Sequence, residues 1–329
     1  MTTQVIGHNK AQTYLQNSIK QESLTHAYLF CGPPSVGKTT LVSFFIERLF
    51  NAVDNFSIEN NPDILWIKNL AVKKDISIDQ IREIKDFLKL HSWNNNYRVV
   101  IIQQADKLNK EAGNALLKTL EEPTTRSLLI LIVDNIHKLL PTIVSRCQVI
   151  NLTPVNAEDM REWLSAHNVL KRDTETVIHL AQGNPGVAWN IINDENSLNN
   201  IIKMGNVLIN FIKTKSIDQI VEYIQTEVLN QASTTKKGSD FVQDNKKVLI
   251  LLKNWLEITR DLLLCKYQQF ARLIFYSFKE DLVQISELLS VDQIVQIIKL
   301  IEQARAKIMS NSNTKLTLEW LLISIKTII

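Results

Sequence analysis

Length, composition and charge place this chain among soluble globular proteins of more than one domain. It has 329 residues, of which 45% are hydrophobic and 22% charged, with a formal net charge of +3. The length exceeds that of a typical single core, so we expect two or three domains. This net charge is too small to imply nucleic-acid binding by itself.

The cysteines and the termini bear on the cellular setting. Cys31, Cys147 and Cys265 form no CxxC pair, which argues against a disulfide framework or a structural zinc site. The N-terminus lacks the layout of a signal peptide, and no run of about eighteen apolar residues predicts a membrane span. We therefore expect a cytoplasmic protein in a reducing compartment.

Strands and helices alternate in the first half of the chain. Helices are predicted at 9–20, 40–50, 78–90 and 110–122, and strands at 27–31, 63–67, 98–102, 128–133 and 148–152. The strand at 98–102 is apolar on both faces, as a central parallel strand should be. This alternation predicts an α/β domain with a parallel sheet flanked by helices.

After Pro154 the pattern is helical only. Short helices are predicted at 157–167, 174–181 and 187–193, and longer amphipathic helices from 201 onward, such as 248–265 and 294–309. We predict three domains: a nucleotide-binding domain at 1–155, a small helical domain at 156–205 and a helical domain at 206–329.

A phosphate-loop (P-loop) motif lies between the first predicted strand and the helix that follows it. Residues 32–39 match the pattern G-x-x-x-x-G-K-[ST], in the strand–loop–helix context that this motif requires. Backbone N–H groups and the helix N-terminus would face phosphate, Lys38 would reach the β/γ phosphates, and the Thr39 hydroxyl suits Mg²⁺. We expect ATP or ADP as ligand, with Mg²⁺ held weakly. The predicted binding residues are Gly32, Pro33, Pro34, Ser35, Val36, Gly37, Lys38, Thr39 and Thr40.

The end of the strand at 98–102 predicts poor hydrolysis. A P-loop ATPase needs a carboxylate for Mg²⁺ and a second one for the attacking water, but Gln103 and Gln104 follow this strand. A neutral amide takes no proton from water. Asp134 follows the fourth strand but has no acidic neighbour. We expect weak or absent ATPase activity.

Ser145-Arg146-Cys147 precedes the fifth strand. An arginine on such a loop is ordinarily a solvated surface charge. A guanidinium can also stabilise charge on a phosphoryl group that is being transferred, including one held by a neighbouring subunit. Arg146 is therefore a candidate catalytic residue acting in trans.

Several motifs together carry a family resemblance. The chain resembles the delta-prime subunits of bacterial DNA polymerase III clamp loaders, which belong to the AAA+ ATPases. The motifs that carry the resemblance are residues 26–30 leading into the P-loop, residues 114–123, Ser145-Arg146-Cys147 and Gly183-Asn184-Pro185-Gly186.

The resemblance implies an AAA+ domain, a helical lid and a C-terminal collar that holds a hetero-oligomer together. It implies a non-motor, stator-like subunit that offers Arg146 as an arginine finger to a neighbour. The implied partners are the gamma/tau and delta subunits, with the sliding clamp and primed DNA reached through the complex. Nucleotidyltransferase activity would belong to the polymerase holoenzyme.

The chain differs at one further place from the family that it resembles. Many relatives carry a four-cysteine zinc module after the P-loop helix, whereas residues 51–62 contain no cysteine. We therefore expect no zinc and, apart from the weakly held Mg²⁺ of the P-loop, no metal site.

Two other readings stay open. One is a free-standing active ATPase or the loader's own motor subunit of the gamma/tau kind, against which Gln103 and Gln104 count. The other is a nucleic-acid-binding adaptor with a vestigial P-loop. The lysine pairs at 73–74, 236–237 and 246–247 are scattered and lack interleaved aromatic residues, which is typical of solvated surface.

Overall fold

The computed structural model describes most of the chain. The described residues are 4–51, 57–68, 76–90, 92, 97–167, 171–193, 195–214, 216, 218–224, 226, 238–310 and 312–329. The lysine pairs at 73–74 and 236–237 lie outside them, as do residues 52–56 of the segment where relatives carry the zinc module. The chain divides into two compact units, residues 1–168 with 183–187 and residues 169–182 with 188–329.

The first unit contains a parallel sheet. Its strands, in the order β2-β3-β4-β1-β5 across the sheet, are β1 (Ala27–Cys31), β2 (Ile64–Ile67), β3 (Arg98–Gln103), β4 (Ser127–Val133) and β5 (Gln148–Asn151). All paired strands run parallel, with Leu29 of β1 level with Leu131 of β4 and Val149 of β5. Every residue of β4 is buried, because helices cover both faces of the sheet.

Alternate residues of the strands point to opposite faces of the sheet and pack into two separate apolar layers. The helices of this unit are α1 (Asn9–Lys20), α2 (Lys38–Leu49), α3 (Ile78–Lys89), α4 (Lys110–Glu121), α5 (Pro141–Val144) and α6 (Ala157–Ala166). Tyr28 and Phe30 of β1 pack with α1 and α2 on one face, and Tyr28 meets Phe45 edge to face at 5.4 Å between ring centroids. Leu29 packs with α3, α4 and α5 on the other face. The predicted α/β class with a flanked parallel sheet is confirmed.

The second unit is helical throughout its described part. Its helices are α7 (Lys171–Ala181), most of α8 (Pro185–Asn193), α9 (Glu195–Thr214), α10 (Asp218–Tyr223), α11 (Gly238–Lys266), α12 (Lys279–Leu288), α13 (Val291–Met309) and α14 (Thr314–Ile328). Its core is built around α11, where Trp255 is fully buried and donates from Nε1 to the carbonyl of Met204, 3.3 Å away. In the described part of the chain, no helix combines the length and apolar character needed to cross a membrane.

The predicted boundary between residues 205 and 206 falls within α9. Ile201 and Met204 before this boundary pack against the same core as Leu208 and Phe211 after it. The division into three domains stays a prediction.

Candidate nucleotide-binding site and arginine loop

The P-loop joins β1 to α2, and its backbone conformation requires glycine at two positions. A Cβ atom on Gly32 would lie 2.4 Å from the carbonyl oxygen of Leu152, so only glycine fits there. Gly37 has φ +106° and stands directly before the first residue of α2. The left-handed backbone at this position favours glycine and turns the chain into the helix.

Lys38 is the most tightly held side chain of the loop. Its ammonium donates to the carbonyl oxygens of Gly32 and Pro33 at 2.6 and 2.7 Å. It also lies 2.7 Å from Oδ1 of Asp134, the residue that follows β4. The side chain of Lys38 is only 6% exposed, while that of Asp134 is 45% exposed.

The residues of the loop fit a phosphate group. The first N–H groups of a helix have no partner within the helix, and the helix dipole adds partial positive charge. In α2, all of whose residues the structure describes, the first turn carries no acidic side chain that would compete for these groups. Thr39 is half-buried at the second position of the helix. The loop can therefore hold the phosphates of a nucleotide, as the sequence motif predicts.

Three segments distant in sequence contact the P-loop and hold it in place, and the P-loop motif carries no signal for these contacts. His8 contacts the carbonyl of Val36 through Nε2 at 3.0 Å. Gly186 donates its N–H to the carbonyl of Ser35 at 2.9 Å, and a Cβ atom on Gly186 would lie 3.1 Å from Ser35. The third contact is that of Leu152 with Gly32.

The carboxyl end of β3 fits Mg²⁺ poorly. Gln103 ends the strand and Gln104 adopts a left-handed conformation with φ 57°. Asp106 follows in a short 3₁₀ turn, with Oδ2 lying 3.8 Å from Nζ of Lys138. The structure thus places two amides where an ATPase needs carboxylates.

Arg146 lies on a short turn between α5 and β5. Nη2 of Arg146 lies 2.8 Å from Oε1 of Glu121, and Nη1 donates to the carbonyl of Thr142 at 3.2 Å. The side chain is 38% exposed. The neighbouring Cys147 points into the apolar layer, where burial raises the pKa of its thiol to about 12. The partly buried thiol anchors the turn and leaves the guanidinium at the surface.

Strand direction separates Arg146 from the P-loop. Tyr28 near the start of β1 is level with Gln148 at the start of β5. Arg146 precedes β5, while Gly32 follows β1, so the two lie at opposite edges of the sheet, about 13 Å or more apart along the strands. The structure brings Lys38, Asp134 and Gln103 to one edge and places Arg146 at the other.

Metal ligands are dispersed in the described part of the chain. No group of three His, Cys, Asp or Glu side chains there lies close enough to hold a metal ion. The expectation of no zinc stays a prediction.

Comparisons with known proteins agree with the motifs. Residues 7–156 match the family model described as DNA polymerase III, delta subunit. The DNA polymerase III subunit delta-prime of Haemophilus influenzae is 40% identical over 116 residues, which cover 35% of this chain and 36% of that protein. The subunit tau of Bacillus subtilis is 27% identical over 281 residues, which cover 80% of this chain and 50% of that protein. Each match therefore spans half or less of the relative's own length.

One solved structure similar to the chain is a DNA polymerase III gamma subunit-related protein from Thermotoga maritima. It has a TM-score of 0.48 and 20% identity, and the match covers 96% of this chain and 98% of that one.

The first unit is a P-loop α/β domain, defined by its parallel sheet with the P-loop between β1 and α2. Within that class, the resemblance of the chain to delta-prime clamp-loader subunits is confirmed.

Proposed function

We propose that this chain is a non-motor subunit of a DNA polymerase III clamp loader and that it presents Arg146 to a nucleotide site on a neighbouring subunit. The observation that carries the proposal is the position of Arg146 at the amino-terminal edge of the sheet, opposite the chain's own P-loop. A guanidinium placed there has no path to phosphates held by Lys38 of the same domain. An arginine finger in this position acts on another chain.

The chemistry of the turn supports this role. Arginine keeps its charge at all working pH values and offers a planar pair of donors that matches phosphate oxygens. Arg146 is 38% exposed and is held by one exposed carboxylate, that of Glu121, so it is available at the surface. A neighbouring subunit can therefore dock over it without unfolding the turn.

The chain's own P-loop would bind ATP or ADP through Lys38, Thr39 and the first N–H groups of α2. Bound nucleotide would supply the phosphate charge that this loop is shaped to hold. Gln103 and Gln104 would leave it unhydrolysed or slowly hydrolysed, because neither amide activates water. Nucleotide here is a ligand that stabilises the domain.

The proposed partners are the gamma/tau and delta subunits, with the sliding clamp and primed DNA engaged by the assembled loader in the cytoplasm. The helices of the second unit would form the collar of this hetero-oligomer. Exposed apolar side chains on α14, Leu316 and Ile323, support a role in contacts with other chains.

The test is ATP hydrolysis by the reconstituted loader carrying Arg146→Ala. We expect an assembled complex whose DNA- and clamp-stimulated hydrolysis falls several-fold, since one finger is worth about 10³-fold or more at its own site but serves one site among several. Arg146→Lys should not restore hydrolysis, because the point charge of a lysine cannot make the two-pronged contact of a guanidinium with phosphate.

The matched control is Arg82→Ala, since Arg82 is also exposed and also paired with a carboxylate, that of Asp79 at 2.9 Å. It should leave hydrolysis unchanged. Unchanged hydrolysis by Arg146→Ala would exclude the role in trans.

A second candidate is an active motor subunit. It is favoured by the intact P-loop and by the similarity to tau over 80% of the chain. Turnover of ATP by the chain alone separates the two candidates.

A further inference from the structure

We propose that Asp134 restrains the P-loop from within, by holding the Lys38 ammonium in competition with nucleotide phosphate. This inference rests on the proposed binding of nucleotide at the P-loop. It assigns to Asp134 the role of setting the affinity of that site.

The hydrogen-bonding capacity of Lys38 is fully used without a ligand. A lysine ammonium has three donors and no acceptor. In Lys38 they are taken by the carbonyls of Gly32 and Pro33 and by Oδ1 of Asp134, all at 2.6–2.7 Å. A phosphate can gain Lys38 only by displacing one of these three partners.

The sheet fixes Asp134 beside the loop. Val133, the last residue of β4, is level with Cys31, the last residue of β1. The next residues, Asp134 and Gly32, therefore leave the sheet side by side. The carboxylate does not depend on a mobile loop for its position, so it stays close to the phosphate site when Lys38 is drawn away.

Charge and burial make the carboxylate the partner that matters. A buried ammonium needs a counter-charge, and Lys38 is 6% exposed. Asp134 supplies that charge when no phosphate is present. When a phosphate arrives, the same carboxylate becomes a like charge close to a polyanion. Both effects lower affinity, and replacing the carboxylate by its amide removes the like charge and leaves only a weaker, neutral acceptor for Lys38.

The decisive variant is therefore Asp134→Asn in the full chain, since the amide keeps an acceptor for Lys38 and removes the charge. Binding of ADP and of ATP is measured by calorimetric titration, with and without Mg²⁺. We expect the variant to bind both nucleotides at least about tenfold more tightly than the original chain in the absence of Mg²⁺. The gain should be clearly smaller when Asp134→Asn is added to Lys38→Ala, because release of Lys38 then contributes nothing and only the removal of the like charge remains.

Asp106→Asn is the matched control. Asp106 also follows a strand of this sheet and its side chain is 9% exposed, but its carboxylate faces Lys138 and not Lys38. Asp106→Asn also removes one negative charge, and it should leave the affinity for ADP and ATP unchanged. Asp134→Ser serves as a second variant that also removes the carboxylate, should the amide variant fail to fold.

The outcomes separate this inference from the proposed nucleotide binding. If the original chain binds nucleotide and Asp134→Asn binds it no more tightly, the restraint is excluded and nucleotide binding stands. If Asp134→Asn loses Mg²⁺-dependent binding, Asp134 is a magnesium ligand and the restraint is again excluded. If no variant binds either nucleotide, both proposals fail.

Discussion

The guanidinium of Arg146 and the carboxylate of Glu121 form an ion pair in which Nη2 lies 2.8 Å from Oε1. Glu121 is the last residue of α4, and a Cβ on Gly113 of the same helix would lie 3.0 Å from Leu140, just before α5. Close packing of the two helices thus sets where carboxylate and guanidinium meet. Both side chains are more than a third exposed, so the pair is worth about 1 kcal/mol or less to stability. Its consequence is the direction in which Arg146 points.

Glu121→Gln is therefore expected to lower ATP hydrolysis by the reconstituted loader about twofold, less than Arg146→Ala does, with little change in the free energy of unfolding. The loss should fall on kcat, because Glu121 orients the finger and does not touch nucleotide. In the double variant with Arg146→Ala the loss should equal that of Arg146→Ala alone, since Glu121 acts through Arg146. Steady-state hydrolysis against ATP concentration measures this.

The neighbouring exposed carboxylate Glu122 gives the control for this prediction. Glu122→Gln changes the same charge one residue further along and should behave as the original chain. Losses that add in the double variant would contradict a positioning role for Glu121.

The isolated chain is expected to release inorganic phosphate from ATP at a negligible rate, even at saturating nucleotide. The physical reason is that Gln103 and Gln104, at the carboxyl end of β3, neither bind Mg²⁺ strongly nor accept a proton. Phosphate release by the purified chain tests this, with Lys38→Ala as the background. A rate comparable to that of motor subunits, lost in Lys38→Ala, would contradict it.

Much of the first unit could be predicted from sequence because its strands are short apolar runs with clear ends. The predicted strand ends differ from the observed ones by at most one residue, as in β3, which is predicted to end at Ile102 and ends at Gln103. The start of α11 could not be found this way. It begins at Gly238, ten residues before the predicted start at Val248, because residues 238–247 are mostly polar and lack a helical apolar period.

The P-loop itself could be predicted from its motif, but its supports could not. His8, Leu152 and Gly186 touch the loop from segments far apart in the chain, and single-sequence patterns carry no signal for such contacts. The contact between Lys38 and Asp134, which lie 96 residues apart, could not be predicted for the same reason. The separation of Arg146 from the P-loop could have been predicted from the sequence. Arg146 precedes the strand β5, whereas the P-loop follows the strand β1, and the two strands are parallel.

Gly183→Ala is expected to destabilise the first unit by about 2–4 kcal/mol. Gly183 has φ +72°, which costs about 1–2 kcal/mol for a residue with a Cβ. That Cβ would also lie 2.4 Å from the carbonyl oxygen of Val155, whose own N–H donates to Gly183 at 2.7 Å. Urea unfolding of the full chain, followed by a probe of the first unit, measures the loss.

Gly183→Asn separates the two causes in that prediction. Asparagine tolerates the left-handed backbone better than alanine but brings the same Cβ towards Val155. We expect it to be nearly as damaging as alanine. Full stability in Gly183→Asn would show that backbone strain alone limits this position.

Asp261 gives the second unit a dependence on pH. Its carboxyl group is fully buried, and Oδ2 accepts the N–H groups of Ile274 and Phe275 at 2.8 Å. Burial raises the pKa of Asp261 from 3.8 to about 6, although these two hydrogen bonds and nearby Arg260 act to lower the pKa. The nearby Glu257, whose pKa burial also raises, adds like charge.

A pKa raised by folding means that the folded chain holds the proton more tightly than the unfolded chain. The contribution of Asp261 to stability is therefore complete below about pH 4 and is lost as pH rises through about 6. At 1.36 kcal/mol per pKa unit, the loss amounts to about 3 kcal/mol.

Asp261→Asn keeps the oxygen acceptor and does not titrate. Its free energy of unfolding should thus rise relative to the original chain by about that amount between pH 4 and pH 7. Urea unfolding at half-unit pH steps measures the difference, and Asp281→Asn, which alters an exposed carboxylate of the same unit, is the control. A difference for Asp261→Asn that stays constant across this range would mean that the two N–H groups fully offset the burial of the charge.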